Sequence, residues 1–325
     1  MIEFAPQIPL LVPSFSSKGN LFLHKGNGKF VSDNYSLMQE LDIRVSKSYL
    51  ISAYDVYYGL MPQNPEEWPE TEYLFVDSGG YETNDSFDLS ERNKFNYNVL
   101  PWDIEKMRSV YSRIVSCEKL QNSIIILSGF DSFIPFEEQL EKAISLSADF
   151  PSAVINFIVK MAFPINRLSL EIENAKRNLS DISIIGVTEK ELGDSVQERA
   201  LNLISIRKQL SSCNWVGNIH IYGGLEPNLV KLYYYAGADI FDGLSWQRIR
   251  YRGNSTLYDP ASFNVSLAEH ENKYLMMVDN LAVLQSISTD LSTSALKRFD
   301  NLDILEASLK SDDLSINNLL NLMEA

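Results

Sequence analysis

The sequence predicts an α/β protein that folds as a (β/α)₈ TIM barrel with insertions and ends in a C-terminal helical appendage. Three observations support this fold class. Short apolar runs rich in β-branched residues recur along the chain, amphipathic stretches separate the later runs, and 45% of the 325 residues are hydrophobic. A doubly wound open sheet is the competing arrangement, but the number of strand-like runs favours the barrel.

Eight runs are continuously apolar rather than alternating, which is typical of strands in a parallel sheet that is covered on both faces. They lie at 9–15, 49–55, 73–78, 123–131, 153–160, 182–188, 218–224 and 238–246. Helical patterns fall between the later runs, at 102–117, 136–147, 165–178, 194–211 and 226–236. The segments 16–47 and 81–101 are long, polar and irregular, as functional insertions commonly are.

We expect the barrel domain to cover residues 1–280 and the helical appendage to cover residues 281–325. Two stretches of this tail, at 294–310 and 316–324, read "SALKRFDNLDILEASLK" and "INNLLNLME". Their spacing indicates two or three polar helices. Such an appendage would close the barrel or offer a surface to a partner protein.

The charge balance excludes one broad class of function. A net charge of −15 argues against general nucleic-acid binding, so a nucleic-acid substrate would need a local basic patch or a basic partner. The two cysteines, Cys117 and Cys213, are too few for a Cys-based zinc site and favour a reduced, cytoplasmic location. No apolar run approaches the roughly 18 residues that span a bilayer, and no basic signal-peptide region is visible, so we expect no membrane partner.

Carboxylates follow four of the predicted strands. In a barrel, the C-terminal ends of the strands face one mouth, which would gather Asp55, Asp77, Asp131 and Asp242. A strand-end Asp often caps the next helix, but Asp77 precedes Gly-Gly and Asp242 precedes "GLSWQR", neither of which reads as a helix start. Two separated carboxylates in one pocket suit displacement at C1′ of a sugar, where one attacks and the other moves protons.

Two motifs resemble those of tRNA-guanine transglycosylases. Residues 76–82 read "VDSGGYE", which is similar to that family's DSGG-aromatic signature. Residues 223–253 read "GGLEPNLVKLYYYAGADIFDGLSWQRIRYRG", which is similar to its path from a Gly-rich strand end, through a helix, into an Arg-containing loop. The first strand, "PLLVPSFSSKG", also falls where the family has one. The resemblance covers residues 6–253 and implies a (β/α)₈ glycosyltransferase, a pentosyltransferase that exchanges guanine in a nucleic acid for a 7-deazaguanine without a cofactor.

The resemblance also implies a role for each matching position. Asp242 would be the nucleophile that bonds C1′, and Asp77 the general acid and base. Asp131 would hydrogen-bond the guanine edge, and Tyr81 would stack on the base. The other base-binding positions are Gly186, Val187, Gly223 and Tyr222, the last standing where the family usually has Met.

The chain departs from the family after Asp242. The tRNA enzymes usually carry a Cys-x-Cys-x-x-Cys cluster and a distant His that hold a structural zinc, whereas this segment contains no Cys and only His270, so we expect no metal. It does contain Arg248, Arg250 and Arg252, with no acidic residue from 245 to 256. We interpret these arginines as a phosphate-binding patch; three solvated arginines on a loop are the alternative.

Some relatives of the family insert 7-deazaguanines into DNA as part of DNA modification systems, and they act with partner proteins. A short chain without the zinc cluster resembles that branch, so we expect DNA as the acceptor slightly ahead of tRNA and its queuosine-type modification. The partners implied are a nucleic acid, a guanine or 7-deazaguanine base, and proteins of a modification system.

Two other hypotheses belong to different classes. The first is a non-catalytic subunit that positions nucleic acid in a transglycosylase complex; the presence of both Asp77 and Asp242 argues against it, because a scaffold needs neither. The second is a metal-dependent or lyase-type barrel. His220 is the only His at a predicted strand end and is expected to point into the barrel wall or core, which disfavours a His-based metal site and leaves Mg²⁺ on carboxylates open.

Overall fold

The computed structural model describes residues 4–19, 23–26, 29–32, 37–38, 41, 47–83, 99–175, 179–252, 255–258, 264, 266–293, 302–311, 315, 318, 320 and 323. Within them the strands are β1 (Leu10–Phe15), β2 (Leu23–Gly26), β3 (Lys29–Ser32), β4 (Ser48–Ser52), β5 (Tyr73–Asp77), β6 (Ile124–Ser128), β7 (Val154–Ile158), β8 (Ile184–Thr188), β9 (Asn218–Tyr222), β10 (Ile240–Gly243), β11 (Ile249–Arg252) and β12 (Ser255–Tyr258).

Eight of these strands close into a parallel barrel. Around the barrel the order is β1, β4, β5, β6, β7, β8, β9 and β10, and β10 pairs back to β1. Each of the eight predicted runs forms one of these strands, so the (β/α)₈ barrel is confirmed. The pairs β2–β3 and β11–β12 form separate antiparallel hairpins.

The α-helices of the described chain alternate with the barrel strands and then continue past β12. They are Ala53–Tyr57, Gly80–Thr83, Ile104–Val115, Phe136–Asp149, Leu168–Asn174, Val196–Ser212, Pro227–Tyr235, Ser245–Arg248, Glu269–Thr293 and Leu302–Leu309. Each of the five predicted helical patterns between strands overlaps one of these helices, and two of the helices, Phe136–Asp149 and Val196–Ser212, end one or two residues later than predicted. In the described part of the chain, every helix is too short or too polar to cross a bilayer.

Side-chain caps fix where several helices begin. The Asp103 carboxylate accepts the backbone N–H of Lys106 at 2.9 Å, and the Ser195 hydroxyl accepts that of Glu198 at 3.1 Å. These bonds satisfy N–H groups that have no partner within the first helical turn. Behind the first cap, buried side chains recur at helical spacing against the barrel, at Met107, Val110, Tyr111 and Ile114.

The helix Glu269–Thr293 packs against β1, β11 and the helix Pro227–Tyr235. It runs through residue 280, the predicted end of the barrel domain. Its buried Asn280 donates to the backbone carbonyls of Trp246 and Ile249, each at 2.7 Å, and accepts the N–H of Tyr251 at 2.7 Å. The helix therefore holds in place the segment that carries the three predicted phosphate-binding arginines.

Candidate active site at the barrel mouth

The interior of the barrel changes from apolar to polar towards the C-terminal ends of the strands. Side chains two positions apart on a strand share a face. The apolar interior cluster contains, among others, Leu50, Phe75, Ile126, Val154 and Ile240. Two positions further along the same strands stand Ser52, Asp77, Ser128, Asn156 and Asp242. A polar layer therefore covers the apolar floor, which is where barrel enzymes have their active sites.

Asp242, at the end of β10, is buried and held by several donors. The Ser14 hydroxyl donates to its Oδ2 at 2.9 Å, and the Gly223 N–H donates to its Oδ1 at 3.0 Å. His220 Nε2 lies 3.4 Å from the same Oδ1. Ser14 and Gly223 therefore orient the carboxylate and stabilise negative charge on it, whereas His220 Nε2 lies nearby without a hydrogen bond to it.

Asp77, at the end of β5, differs electrostatically from Asp242. Burial raises the pKa of Asp77 to about 8; the charges of Glu82, Asp242 and Asp131 act in the same direction, and a hydrogen bond from the Gly79 N–H opposes them. In the barrel order, β5 and β10 are separated by β4 and β1. The mouth thus brings together a carboxyl group whose raised pKa favours its protonated form and a second carboxyl group held by hydrogen-bond donors.

Glu82 is a buried carboxylate that the sequence reasoning missed. It accepts the Ser52 hydroxyl at 2.7 Å and the Ser16 hydroxyl, and Ser52 is the register partner of Asp77 on the neighbouring strand. Burial raises the pKa of Glu82 above its ordinary value. Glu82 is the neighbour whose charge most strongly favours the protonated form of Asp77.

Asp55, the first of the four predicted strand-end aspartates, is fully buried. Its carboxylate accepts the backbone N–H of Ser17 at 2.6 Å and the Ser17 hydroxyl at 2.5 Å. Burial, together with the charge of Glu82, raises its pKa well above the ordinary value. Asp55 therefore ties the segment after β1 to the base of the mouth.

The glycines of the DSGG motif let other groups approach closely. Gly79 has a φ of +91°, and a Cβ there would lie 2.8 Å from Trp102 Nε1. A Cβ at Gly80 would lie 2.6 Å from Asp131 Oδ2. The first glycine therefore permits a left-handed turn against a tryptophan, and the second makes room for the Asp131 carboxylate.

The expectation that no helix follows Asp77 or Asp242 is wrong in detail. Helical turns follow both, at Gly80–Thr83 and Ser245–Arg248. The sequence does not reveal them, because a single turn is too short to show a periodic pattern. Neither aspartate caps its turn. Asp77 accepts the N–H of Gly79, and Asp242 accepts from Ser14 and Gly223.

Tyr222 occupies the centre of the polar layer. Its hydroxyl lies 2.6 Å from Ser128 Oγ and 2.9 Å from Asn156 Nδ2, and a Cβ at Gly186 would come within 2.6 Å of its ring. Burial raises the pKa of Tyr222, and the charges of Asp77 and Asp242 act in the same direction. The ring therefore covers Gly186 and lies close to both aspartates.

The other predicted base-binding residues differ in their access to the mouth. Val187 is buried in the core between the barrel and its helices. At Gly223, whose φ is +85°, no described atom lies within 4 Å of where a Cβ would be. Backbone at Gly223 thus borders open space, whereas Gly186 and Val187 are covered by Tyr222 and by the core.

Asp131 lies beside a lysine that the sequence reasoning missed. The buried Lys160 places its Nζ 3.1 Å from Asp131 Oδ1 and 2.7 Å from Glu191 Oε1. The exposed ring of Phe133 lies 5.5 Å from the same Nζ. The ammonium of Lys160 also donates to Thr188 Oγ1 at 3.3 Å, so Asp131 stands beside a donor whose weakest contact is the one to Thr188.

The predicted arginine patch is split in space. Arg248 Nη2 donates to the Tyr81 hydroxyl at 3.1 Å, and Lys18 Nζ lies 4.9 Å from the centroid of the same ring. Arg250 forms an ion pair with Asp279 at 2.9 Å. Arg252 is exposed. The structure therefore brings Arg248 to Tyr81 at the mouth and directs Arg250 towards the helix Glu269–Thr293.

Two further findings bear on the identity of the site. Among the residues that the structure describes, no group of three His, Cys, Asp or Glu side chains is arranged to hold a metal ion. The sequence matches no protein-family model and no curated protein.

Proposed function

We propose that this chain is a base-exchange transglycosylase that replaces guanine in a nucleic acid with a 7-deazaguanine through a covalent link between Asp242 and the sugar. The observation that carries the proposal is the pair Asp77 and Asp242 at one barrel mouth, with the pKa of Asp77 raised to about 8 and Asp242 held by Ser14 and Gly223. One group can donate a proton while the other attacks. The motif resemblance supports the same roles.

The reaction proceeds by two displacements. Asp242 attacks C1′, the bond from C1′ to the guanine nitrogen breaks, and the departing base takes the proton of Asp77. An ester then joins Asp242 to C1′, and Asp77 is a carboxylate. The incoming 7-deazaguanine gives its N9 proton to Asp77 and displaces Asp242, so every proton is returned and the configuration at C1′ is retained.

The pair Asp131 and Lys160 fits the edge of a guanine-type base. That edge offers N–H donors beside a carbonyl oxygen. Asp131 would accept from the N–H groups, and Lys160, whose Nζ lies 3.1 Å from Asp131 Oδ1, would donate to the carbonyl with the N–H that otherwise reaches Thr188 Oγ1 at 3.3 Å. An adenine-type base presents the wrong partner to Lys160, because an amino group stands in place of the carbonyl. Tyr81, which is 38% exposed, would stack on the base.

Gly80→Ala tests whether Asp131 and Lys160 recognise the edge of the base. The new Cβ would lie 2.6 Å from Asp131 Oδ2, so the carboxylate must move away from Lys160. We expect 7-deazaguanine to bind about tenfold more weakly, the usual effect of losing one charge-assisted hydrogen bond. Gly129→Ala is the matched control, because the nearest atom to its Cβ is 3.8 Å away. Equal base affinity in both variants would show that Asp131 does not read the base.

An exchange assay tests the proposed function itself. The wild-type protein, alone and with partner proteins, is incubated with labelled guanine or 7-deazaguanine and with either DNA or tRNA. We expect label to enter nucleic acid and a protein–nucleic acid adduct to survive denaturation. Because the chain lacks the cysteines of the tRNA enzymes, we expect more incorporation into DNA. Nucleic-acid binding without exchange under every condition would favour the alternative, a non-catalytic positioning subunit.

Arg248→Ala tests the contribution of the arginines to acceptor binding. Arg248 lies at the mouth beside Tyr81, so it is placed to contact a backbone phosphate next to the target nucleotide. We expect weaker nucleic-acid binding and a salt dependence whose log–log slope falls by about 0.7 to 0.9. The control is Arg113→Ala, at the end of a helix that runs to the opposite end of the barrel. Tyr81→Phe separates phosphate binding from loss of the Arg248–Tyr81 hydrogen bond.

A further inference from the structure

His220 lies directly beneath the proposed nucleophile. It is fully buried, with its ring centroid 4.2 Å from that of Tyr222 and 5.4 Å from that of Phe75. One ring nitrogen, Nδ1, lies 2.7 Å from Asn156 Nδ2, and the other, Nε2, lies 3.4 Å from Asp242 Oδ1. Asn156, His220 and Asp242 therefore lie in a row inside the barrel, in which His220 is hydrogen-bonded to Asn156 and approaches Asp242 without a hydrogen bond.

The neighbours on both sides determine which ring nitrogen carries the proton. With the Asn156 amide nitrogen facing the ring, His220 Nδ1 accepts and the proton is on Nε2. Asp242 favours the same tautomer of His220, because an unprotonated Nε2 facing the carboxylate oxygen would be a contact between two acceptors. Nε2 is therefore the protonated nitrogen and lies 3.4 Å from Asp242 Oδ1, but it forms no hydrogen bond with that oxygen in this structure.

The two oxygens of Asp242 have different surroundings. Oδ1 faces two nitrogen donors, the Gly223 N–H at 3.0 Å and His220 Nε2 at 3.4 Å. Oδ2 faces the Ser14 hydroxyl at 2.9 Å. The Ser14 oxygen is held by the Gly243 N–H at 3.1 Å, but its hydrogen can turn about the C–O bond and release Oδ2. We therefore assign Oδ2 as the atom that bonds C1′ and Oδ1 as the oxygen that stays anchored.

We propose that His220, oriented by Asn156, is a positioning residue whose Nε2–H, unpartnered in this structure, donates to Asp242 Oδ1 as negative charge returns to that oxygen and thereby promotes release of the covalent adduct; this rests on the proposed function. In the adduct, Oδ1 is the carbonyl oxygen of a neutral ester. When the incoming base displaces Asp242, negative charge returns to the carboxylate. Hydrogen bonds to a charged acceptor are roughly twice as strong as those to a neutral one. A donor at Oδ1 therefore favours the free carboxylate over the ester.

His220→Phe and His220→Gln test this role. Phe keeps a ring against Tyr222 and Phe75 but removes the donor, whereas Gln keeps an N–H donor. For each variant, the fraction of protein in adduct is measured at steady state, and the loss of adduct is followed after excess free 7-deazaguanine is added. We expect His220→Phe to raise the adduct fraction and slow its release about tenfold, the effect of one hydrogen bond to a charged group. His220→Gln should lie closer to wild type.

A purely structural role predicts a different outcome. Distortion of the mouth would lower the adduct fraction in His220→Phe, and that result would overturn the proposal, as would equal behaviour of the two variants. If the wild-type protein forms no adduct, the proposed function fails instead. The tautomer is tested without activity: ¹⁵N NMR of the wild-type protein should show His220 protonated at Nε2, with the signal assigned by its absence in His220→Phe. Protonation at Nδ1 would overturn the inference even if exchange is observed.

Discussion

The Asp242→Asn variant is expected to form no covalent adduct with nucleic acid and to lose base exchange by about a thousandfold or more, because its amide cannot displace the base at C1′. The replacement has nearly the same size, and its carbonyl can still accept from Ser14 or Gly223. Folding and binding of free base should therefore be preserved. The measurement is the fraction of labelled oligonucleotide that migrates with the protein on a denaturing gel.

The matched control for this variant is Asp290→Asn, the same chemical change on the exposed face of the helix Glu269–Thr293. It should retain wild-type adduct formation. Adduct formation by Asp242→Asn at the wild-type rate would mean that the nucleophile lies elsewhere. If neither variant nor the wild type forms an adduct and all three bind nucleic acid, the non-catalytic subunit becomes the better account.

The barrel could be predicted from the sequence because the patterns that indicate its strands and helices are local. Each strand is a continuous apolar run, and each of the five predicted helices repeats buried residues at helical spacing. The helix Glu269–Thr293 was harder to place. Its buried Met276, Leu284 and Leu291 belong to the core next to the barrel, and a boundary at residue 280 reflects composition rather than packing. Composition contains no information about which distant strand a helix contacts.

The candidate site was accessible only in part, for a related reason. Strand-end aspartates such as Asp77 and Asp242 are visible because each follows an apolar run directly. Glu82 looks like a surface residue, since its burial depends on Ser52, 30 positions away. The position of His220, in contrast, can be inferred from the sequence. It stands two positions before Tyr222 on one strand, so the two share the inward face, and strand alternation alone places it below the mouth.

Asp77→Asn is expected to slow exchange by about 10²- to 10⁴-fold, the usual contribution of general acid–base catalysis. Asn is close to Asp in size but cannot transfer a proton to the leaving guanine. A nucleic acid with 7-methylguanine at the target position separates this role from nucleophilic attack, because that base leaves as a neutral molecule without taking up a proton. Adduct formation on this substrate should recover in Asp77→Asn and remain absent in Asp242→Asn.

The raised pKa of Asp77 also predicts how the wild-type rate depends on pH. With a pKa of about 8, the group holds its proton at neutral pH and loses it above that value. Adduct formation from guanine-containing nucleic acid should therefore decline above about pH 8. Adduct formation from the 7-methylguanine substrate needs no proton from Asp77 and should lack this decline. A decline of equal size on both substrates would contradict the role of Asp77 as the acid.

The same pKa makes a separate prediction about stability. Below about pH 4 the carboxyl is protonated in both the folded and the unfolded chain, so it adds no pH dependence. Between there and about pH 8 the unfolded chain releases the proton and the folded chain keeps it, so the free energy of unfolding falls as pH rises. Asp77→Asn removes this pH-dependent fall in the free energy of unfolding. The variant should be more stable than wild type at pH 8.5, by up to a few kcal/mol, and the difference between the two proteins should be smaller at pH 5. Thermal melts at the two pH values measure the difference, and Asp290→Asn should show none. A difference between Asp77→Asn and wild type that does not change with pH would mean that Asp77 is ionised in the folded protein and cannot serve as the acid.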